Sequence, residues 1–253
     1  MCGSSHSFNI ERGGIVLKRL NLGSELEAKL AKLGAGSGRL AKKAPPVYLS
    51  TGIPEVDKLA GGIPRGSITL VLGPPSSGRT TLMHSTLAEA SSAEEVCALV
   101  DATDAFHPAS AKGAGVDLDR LLWVRCGGNV AHAITAAEMI LQSGGFGLVV
   151  LDLADIVGRK QSLIPDPAWF RYRRAVENTP TALLAIGPQT LSASCAVLVL
   201  EMEPGKPRWA GTEGAPPIAS PLLGLEITVR KRKPVPAGKS ENFTASLAHD
   251  IPE

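Results

Sequence analysis

Ser67-Ile68-Thr69-Leu70-Val71-Leu72 runs without a break into Gly73-Pro74-Pro75-Ser76-Ser77-Gly78-Arg79-Thr80-Thr81. The first six residues form an apolar run of strand length, and the glycines, prolines and serines that follow stop it. From Gly78 to about Ser91 the pattern is helical. Strand, glycine-rich loop and helix start together match G-x-x-x-x-G-[K]-[ST] at every defined position but one. In such a frame the glycines let the backbone wrap a phosphate and the N–H groups of Ser77 through Thr80 turn inward. The positive end of the new helix then faces the anion. Gly73, Pro74, Pro75, Ser76, Ser77, Gly78, Arg79, Thr80 and Thr81 are therefore the candidate nucleotide-binding residues. The Thr80 hydroxyl is suited to ligate Mg2+. The exception is Arg79, which stands where the frame has Lys. Its guanidinium is planar, forked and bulkier than an ammonium, so reach and geometry at the phosphates differ.

Outward from the loop, strands and helices alternate. Val96–Val100 is a buried strand ending at Asp101, and Leu121–Val124 is another. Asn129 caps a helix that runs through Gln142. Leu148–Leu151 is a strand ending at Asp152, Pro165–Asn178 a helix, and Ala182–Ile186 a further strand. Cys195–Met202, Leu223–Lys233 and Phe243–Leu247 then read as strands with no helix between them. This order predicts an α/β fold: a mainly parallel twisted sheet flanked by helices, with antiparallel strands at its C-terminal edge. Asp152 is the second candidate for Mg2+, through a water, because ligand crevices in open α/β sheets lie at the carboxyl ends of strands. Asp101 ends its strand the same way and is expected to line the same crevice.

Apolar residues make up 44% of the 253-residue chain and aromatics only 4%, so the core must be aliphatic. Four scattered cysteines without a C-x-x-C spacing argue against a disulfide framework or a zinc site. The absence of a long apolar stretch and of a leader-like N-terminus makes a cytoplasmic protein with no membrane partner the expectation. A net charge of +2 gives no global case for nucleic acid. Locally, residues 1–50 hold eight Lys/Arg against three Glu, and Arg230, Lys231, Arg232 and Lys233 form a second cluster. Arg171, Arg173 and Arg174 lie among Trp169, Phe170 and Tyr172. These two later clusters are candidate DNA-binding residues; Arg230–Lys233 reads equally as a solvated face, and Arg171, Arg173 and Arg174 read more plainly as the exposed face of a helix. The expected organisation is an N-terminal helical extension and linker over 1–46, a core over 47–248 and a tail over 249–253. The extension rests on a capping box at Ser24 and Glu27 ahead of Leu26, Leu30 and Leu33.

These residues resemble the RecA recombinase family. Ser50-Thr51-Gly52-Ile53-Pro54-Glu55-Val56-Asp57-Lys58-Leu59, followed by Gly61-Gly62-Ile63-Pro64-Arg65-Gly66, looks like the motif that opens the family's core. Gly73–Thr81 is similar to its G-P-E-S-S-G-K-T-T. Val100-Asp101-Ala102-Thr103-Asp104-Ala105-Phe106-His107-Pro108 resembles its I-D-A-E-H-A-L-D-P. Gly115-Val116-Asp117 with Leu121-Leu122 resembles G-V-D-x-x-x-L-L, and Asp152 falls on the Walker-B Asp. The resemblance covers about Val47 to Leu247 and implies a RecA-like core that takes ATP and Mg2+.

The departures matter as much. The family's general-base Glu falls on Thr103, which cannot take a proton at neutral pH. Asp104, one residue on, is the candidate catalytic substitute. Gln189 lies near the family's nucleotide-sensing Gln. The stretches matching the two DNA-binding loops, Ala154–Pro167 and Gly187–Ser194, are short. A shortened member with altered catalytic residues is similar to the ImuA type. That resemblance implies an accessory adaptor of the SOS response to DNA damage, acting in translesion synthesis. It would bind ATP with weak or no hydrolysis, beside proteins of a mutagenic polymerase complex or RecA, with single-stranded DNA as a further candidate partner. Two other readings stand beside it: an active DNA-dependent ATPase of the recombinase kind, and a RecA-derived inhibitor of another assembly such as cell division.

Overall fold

Five-residue runs such as Ile68–Leu72, Cys97–Asp101 and Leu148–Asp152 have no exposed side chain. Strands of that kind must be covered on both faces, which calls for helices on both. The computed structural model describes residues 46–154, 156, 164–191, 194–209, 222–234 and 239–246, all within one compact unit, Pro46–Glu253. The expected N-terminal helix around Leu26–Leu33, the linker after it and the tail lie outside the described residues.

In chain order the elements are β1 (Tyr48–Leu49), α1 (Pro54–Ala60), β2 (Ile63–Pro64), β3 (Ile68–Leu72), α2 (Arg79–Ser92), β4 (Cys97–Asp101), α3 (Pro108–Gly113), β5 (Leu121–Arg125), α4 (Val130–Ser143), β6 (Leu148–Asp152), α5 (Asp166–Val176), β7 (Ala182–Gly187), β8 (Leu198–Trp209), β9 (Leu222–Lys233) and β10 (Ser240–Ser246). The main sheet has eight strands in the order β10-β9-β8-β3-β7-β6-β4-β5. β8, β3, β7, β6, β4 and β5 run parallel, and β9 and β10 add antiparallel strands at one edge, as the sequence pattern predicts. Among the described residues no helix is long and apolar enough to cross a membrane.

Side chains sort to the two faces with a period of two. In β4 Cys97 and Leu99 join one core while Ala98 and Val100 join the other; in β7 Ala182, Leu184 and Ile186 oppose Leu183 and Ala185. The first core is closed by α1 and α2 through Val56, Leu59, Leu82, Met83 and Leu87, the second by α4 and α5 through Ile140, Leu141, Trp169 and Tyr172. Asn129 caps α4 as expected, its Oδ1 accepting from the N–H groups of Ala131 and His132 at 3.0 and 3.2 Å.

Two short helices were not in the sequence reading, although Pro54 and Pro108 stand at their first positions, where a missing N–H costs nothing. α1 explains the opening motif. The Asp57 carboxylate accepts the Ser50 hydroxyl at 2.8 Å, the Thr51 hydroxyl at 2.8 Å and the Thr51 N–H at 2.9 Å. A single side chain so folds the turn leading into the helix that carries it. The strand expected over Cys195–Met202 begins at Leu198 and runs on to Trp209, because it pairs with β9 well past the point where it leaves β3.

The amino edge of the parallel sheet is tied by one guanidinium. Arg65, just before β3, is bidentate with Glu95, just before β4, at 2.6 and 3.1 Å, and it also donates to the carbonyls of Gly147 at 3.4 Å and Pro180 at 3.0 Å. These acceptors lie immediately ahead of β6 and β7. Both partners are largely covered, with side-chain exposures of 14% and 28%. Charge-assisted forks of this kind are strong, and removing one partner leaves the other's charge uncompensated. Arg65→Ala is expected to lower stability by about 2 kcal/mol in urea unfolding, with Arg65→Lys recovering only part because an ammonium lacks the fork.

Candidate nucleotide site

The loop between β3 and α2 bends as its sequence requires. Ser76 and Gly78 both have positive φ, 59° and 84°. Gly78 is the N-cap of α2, no side chain caps that helix, and no acidic residue occupies its first turn. The first turn therefore presents its N–H groups and its positive dipole end toward the loop. Gly73 has no room for a side chain: a Cβ there would lie 2.5 Å from the Met202 carbonyl oxygen of β8. At Gly78 a Cβ would collide with the Ile227 δ-methyl of β9. Both glycines are thus fixed by the approach of the C-terminal strands, and Gly78 by its left-handed backbone as well.

Beside the loop is a cavity of about 350 Å3, at the small end of the range for ligand pockets, roughly 300–1,000 Å3. Residues 75–81 form one wall, and Leu222, Leu225 and Ile227 of β9 with Ala245 of β10 form the other. Pro75 through Thr81 thus line the cavity, while Gly73 and Pro74 support it from behind. Thr80 and Thr81 are exposed. The buried Ser77 hydroxyl has no hydrogen-bond partner among the described residues. An orphan hydroxyl on a phosphate-type loop is the kind of group a bound oxyanion satisfies. Arg79 is buried at 5% exposure, and its Nη1 lies 3.4 Å from the Ala154 carbonyl oxygen, among other contacts. Its guanidinium links the loop to the end of β6.

Asp152 and Asp101 sit side by side in the β6–β4 register, and they do different work. Asp152 Oδ1 accepts the Ala154 N–H at 2.9 Å. With the Thr80 hydroxyl it supplies hard oxygen atoms of the kind Mg2+ takes, so the donor chemistry fits that ion. Asp101, expected to line the crevice, is fully buried. It accepts the N–H groups of Thr103 at 3.2 Å, Ala105 at 3.2 Å and Phe106 at 3.0 Å, and the Trp123 indole at 3.3 Å. Four donors consume its acceptor capacity, so Asp101 shapes the 102–107 loop instead of facing a ligand. Asp104 has a positive φ of 61°, pairs with Arg125 at 3.0 Å and accepts the Gly127 N–H at 3.2 Å. Those partners are on the β5 side of β4, away from β3. Gln189 is exposed just beyond β7.

The basic clusters are largely engaged. Arg171 pairs with Glu138 at 2.8 Å, Arg230 with Glu203 at 3.1 Å and Arg232 with Glu201 at 3.6 Å. Lys233 donates to the Ser194 carbonyl at 3.0 Å. Arg173 and Arg174 are exposed and Lys231 is half-buried. Burial pushes the Cys195 thiol up, opposed in part by a backbone hydrogen bond and by the positive charges of Arg173 and Lys233. Cys97 is a packing thiol, pushed up to about 12 by burial and then by the charge of Glu95.

Sequence reasoning missed His84, one turn into α2 past Thr80. It is 9% exposed, stacks edge-on against Phe106 at 5.8 Å, and its Nε2 has no partner among the described residues. Phe106 in turn meets Trp123 at 5.2 Å, and Arg125 lies over that indole at 5.1 Å.

The fold and the loop define a phosphate-loop α/β protein. The chain belongs to the RecA N-terminal domain family, which matches residues 32–164, just over half of it. It is 37% identical over 138 residues to the protein RecA of Chloroflexus aurantiacus, covering 53% of this chain and 38% of that protein. It is 40% identical over 144 residues to the protein RecA of Chlorobaculum parvum, covering 54% and 40%. With that of Deinococcus radiodurans it shares 38% over 128 residues, covering 50% and 34%. The chain spans about two fifths or less of the length of these relatives.

Two outcomes follow from this geometry. Gly78→Ala is expected to cost about 2 kcal/mol, part from a left-handed φ and part from Ile227. Adding Ile227→Ala should remove the steric part alone, so a double-mutant cycle by urea unfolding will show coupling between the two sites. Burial first, and then the charge of His107, lower the His84 pKa below the ordinary 6.5. The unfolded chain therefore binds a proton at this residue before the folded chain does. Stability from the neutral ring is complete above 6.5 and falls as pH drops below it. Unfolding at about pH 7.5 and about pH 5.5, roughly one unit either side of an ordinary His, should show a smaller loss for His84→Leu than for the parent, with the carboxylates common to both.

Proposed function

We propose that the protein is a RecA-like accessory factor of DNA repair that binds a nucleoside triphosphate with Mg2+ and turns it over weakly or not at all. It would act as an adaptor in error-prone translesion synthesis, in the manner of the ImuA type, and its readout would be contact with other proteins of that process. The observation that carries the reading is the buried Arg79, whose guanidinium spans from the phosphate loop to the backbone just past Asp152. A loop with its glycines, its uncapped helix start and Thr80 intact retains what anion binding needs. Arg79 in place of Lys, and Thr103 at the general-base position with Asp104 held by Arg125, weaken what hydrolysis needs. A general base alone is worth about 10²–10⁴-fold in rate.

In this reading Ser77, Gly78, Thr80 and Thr81 cradle the phosphates, Thr80 and Asp152 hold the Mg2+ that offsets phosphate charge, and Arg79 pairs with a phosphate oxygen. The pairing of Arg230 and Arg232 with Glu203 and Glu201 supports protein contact over phosphate-backbone contact as the main mode of action. The equilibrium binding of a ribose-labelled fluorescent ATP with Mg2+ should be clear for the native chain and weakened at least tenfold by Thr80→Ala (about 1.4 kcal/mol). Hydrolysis with single-stranded DNA should stay near background and rise at least tenfold (about 1.4 kcal/mol of barrier) in Arg79→Lys/Thr103→Glu. A native rate that is high and lost in Asp152→Ala would instead establish the active DNA-dependent ATPase.

A further inference from the structure

α4 and α5 cover the second core side by side, and two contacts join them. Arg171 Nε donates to Glu138 Oε1 at 2.8 Å, and the Tyr172 hydroxyl donates to the Ile134 carbonyl at 2.9 Å. Helical periodicity sorts the remaining side chains. Inward, α4 buries Ala137, Ile140 and Leu141, and α5 buries Trp169 and Tyr172. Outward stand Met139, next to Glu138, at 66% exposure and Phe170, next to Arg171, at 49%. Arg173 and Arg174 follow Phe170 at i+3 and i+4 and are exposed. Among the described residues neither has an ion-pair partner, whereas Glu138 neutralises Arg171. Asp166 opens α5 and Glu177 caps its end, and neither pairs with these arginines. Single exposed apolar side chains are ordinary. Two of them on one helix pair, beside two unpaired arginines, give the mixture of Met, aromatic and Arg in which protein interfaces are enriched.

We propose that the outer face of α4 and α5 docks an acidic, amphipathic segment of a protein partner, with Met139 and Phe170 receiving its apolar side chains and Arg173 and Arg174 its carboxylates. This rests on the adaptor reading above for a protein as partner, and not on nucleotide binding. Charge selects the occupant, because guanidinium forks pair bidentately with carboxylates. Residues 1–50 of the chain itself hold eight Lys/Arg against three Glu, the wrong sign for this face. A second copy meeting it through the same face would set arginine against arginine. Single-stranded nucleic acid shares the attraction to cations, but its bases stack on successive aromatic platforms. Here Trp169 and Tyr172 are buried, which leaves Phe170 as the one ring of α5 on the outside, with the Met139 thioether on α4. Apolar anchors flanked by charge suit a helical segment that lays down an i, i+3, i+4, i+7 stripe.

The test is an NMR titration of the full chain, isotope-labelled at its methionine methyls, with a synthetic peptide of about 15 residues that carries Leu at i, i+3, i+4 and i+7 helical spacing and Glu elsewhere. Met139 is exposed while Met83 and Met202 are buried, so Met139 reports the surface and the other two report the fold. The expected result is a saturable shift of the Met139 methyl with Met83 and Met202 in place. Phe170→Ala and Arg173→Glu/Arg174→Glu should each weaken binding at least tenfold (about 1.4 kcal/mol), again with Met83 and Met202 unmoved. The same peptide with Lys for Glu should bind the Arg173→Glu/Arg174→Glu chain and not the native one. An acidic peptide that leaves Met139 unshifted, or a shift indifferent to Phe170→Ala, overturns the proposal. A thymidine oligonucleotide of about 15 nucleotides that moves Met139 where the peptide does not also overturns it, and makes the face a nucleic-acid surface. Fluorescent ATP binding is read separately, so failure of the nucleotide site leaves this result standing.

Discussion

A strand covered on both faces can hold a polar side chain only where it stops. That constraint governs β3, β4, β6 and β7, whose residues are almost all apolar and buried up to their last positions. The parallel register lines up those last positions, and Asp101 falls beside Asp152. Two carboxylates at the rim of a dry sheet each need donors, and the chain supplies them from the loops that follow. Asp101 gathers the 102–107 loop around itself, and Asp152 anchors the turn at Ala154. The phosphate loop opens from the neighbouring end of β3. Ligand crevices of open α/β sheets lie at this rim, and in the parallel strands β3, β4, β6 and β7 it is where the two carboxylates stand.

Much of this was legible from residue order. Apolar runs of five residues between helical stretches define the parallel sheet, and Gly73 through Thr81 announce their bend through glycine spacing alone. Asn129 names itself as a cap. Other features depend on contacts between distant segments and leave no local mark. Nothing in Leu225 or Ile227 says that they will face Gly78 from across the sheet. Asp101 and Asp152 look alike in sequence, each an Asp after four apolar residues, and only the Trp123 indole and the fold of the next loop separate their roles. The arginines of β9 read as an open basic cluster because their acidic partners, Glu201 and Glu203, sit on another strand some thirty residues earlier. The prolines at the starts of α1 and α3 carried a signal that short length obscured.

The C-terminal strands gain a role from this arrangement. β8 passes close behind Gly73, and β9 places Ile227 against Gly78. A phosphate loop in many contexts is a strand-to-helix turn with solvent above it. Here it is packed against the C-terminal strands, so Gly73 meets both Ser77 of the loop and Met202 of β8, and Gly78 meets Ile227 of β9. Arg79 adds a further tie, toward Ala154. The loop's shape is therefore held by tertiary packing before any ligand arrives, which lowers the ordering cost a ligand would meet.

The two rims of the sheet are tied in different ways. On the amino side Arg65 gathers the approaches to β3, β4, β6 and β7 into one hydrogen-bonded knot, and an inserted residue in any of those turns would pull its carbonyl or carboxylate out of reach. On the carboxyl side the ties are spread over several groups: Asp101 holds the 102–107 loop, Asp152 the turn at Ala154, and Arg79 reaches from the phosphate loop to that same turn. A change ahead of β3, β4, β6 or β7 is thus felt by four strands at once, so a permuted terminus or a fused label does not belong at the amino rim.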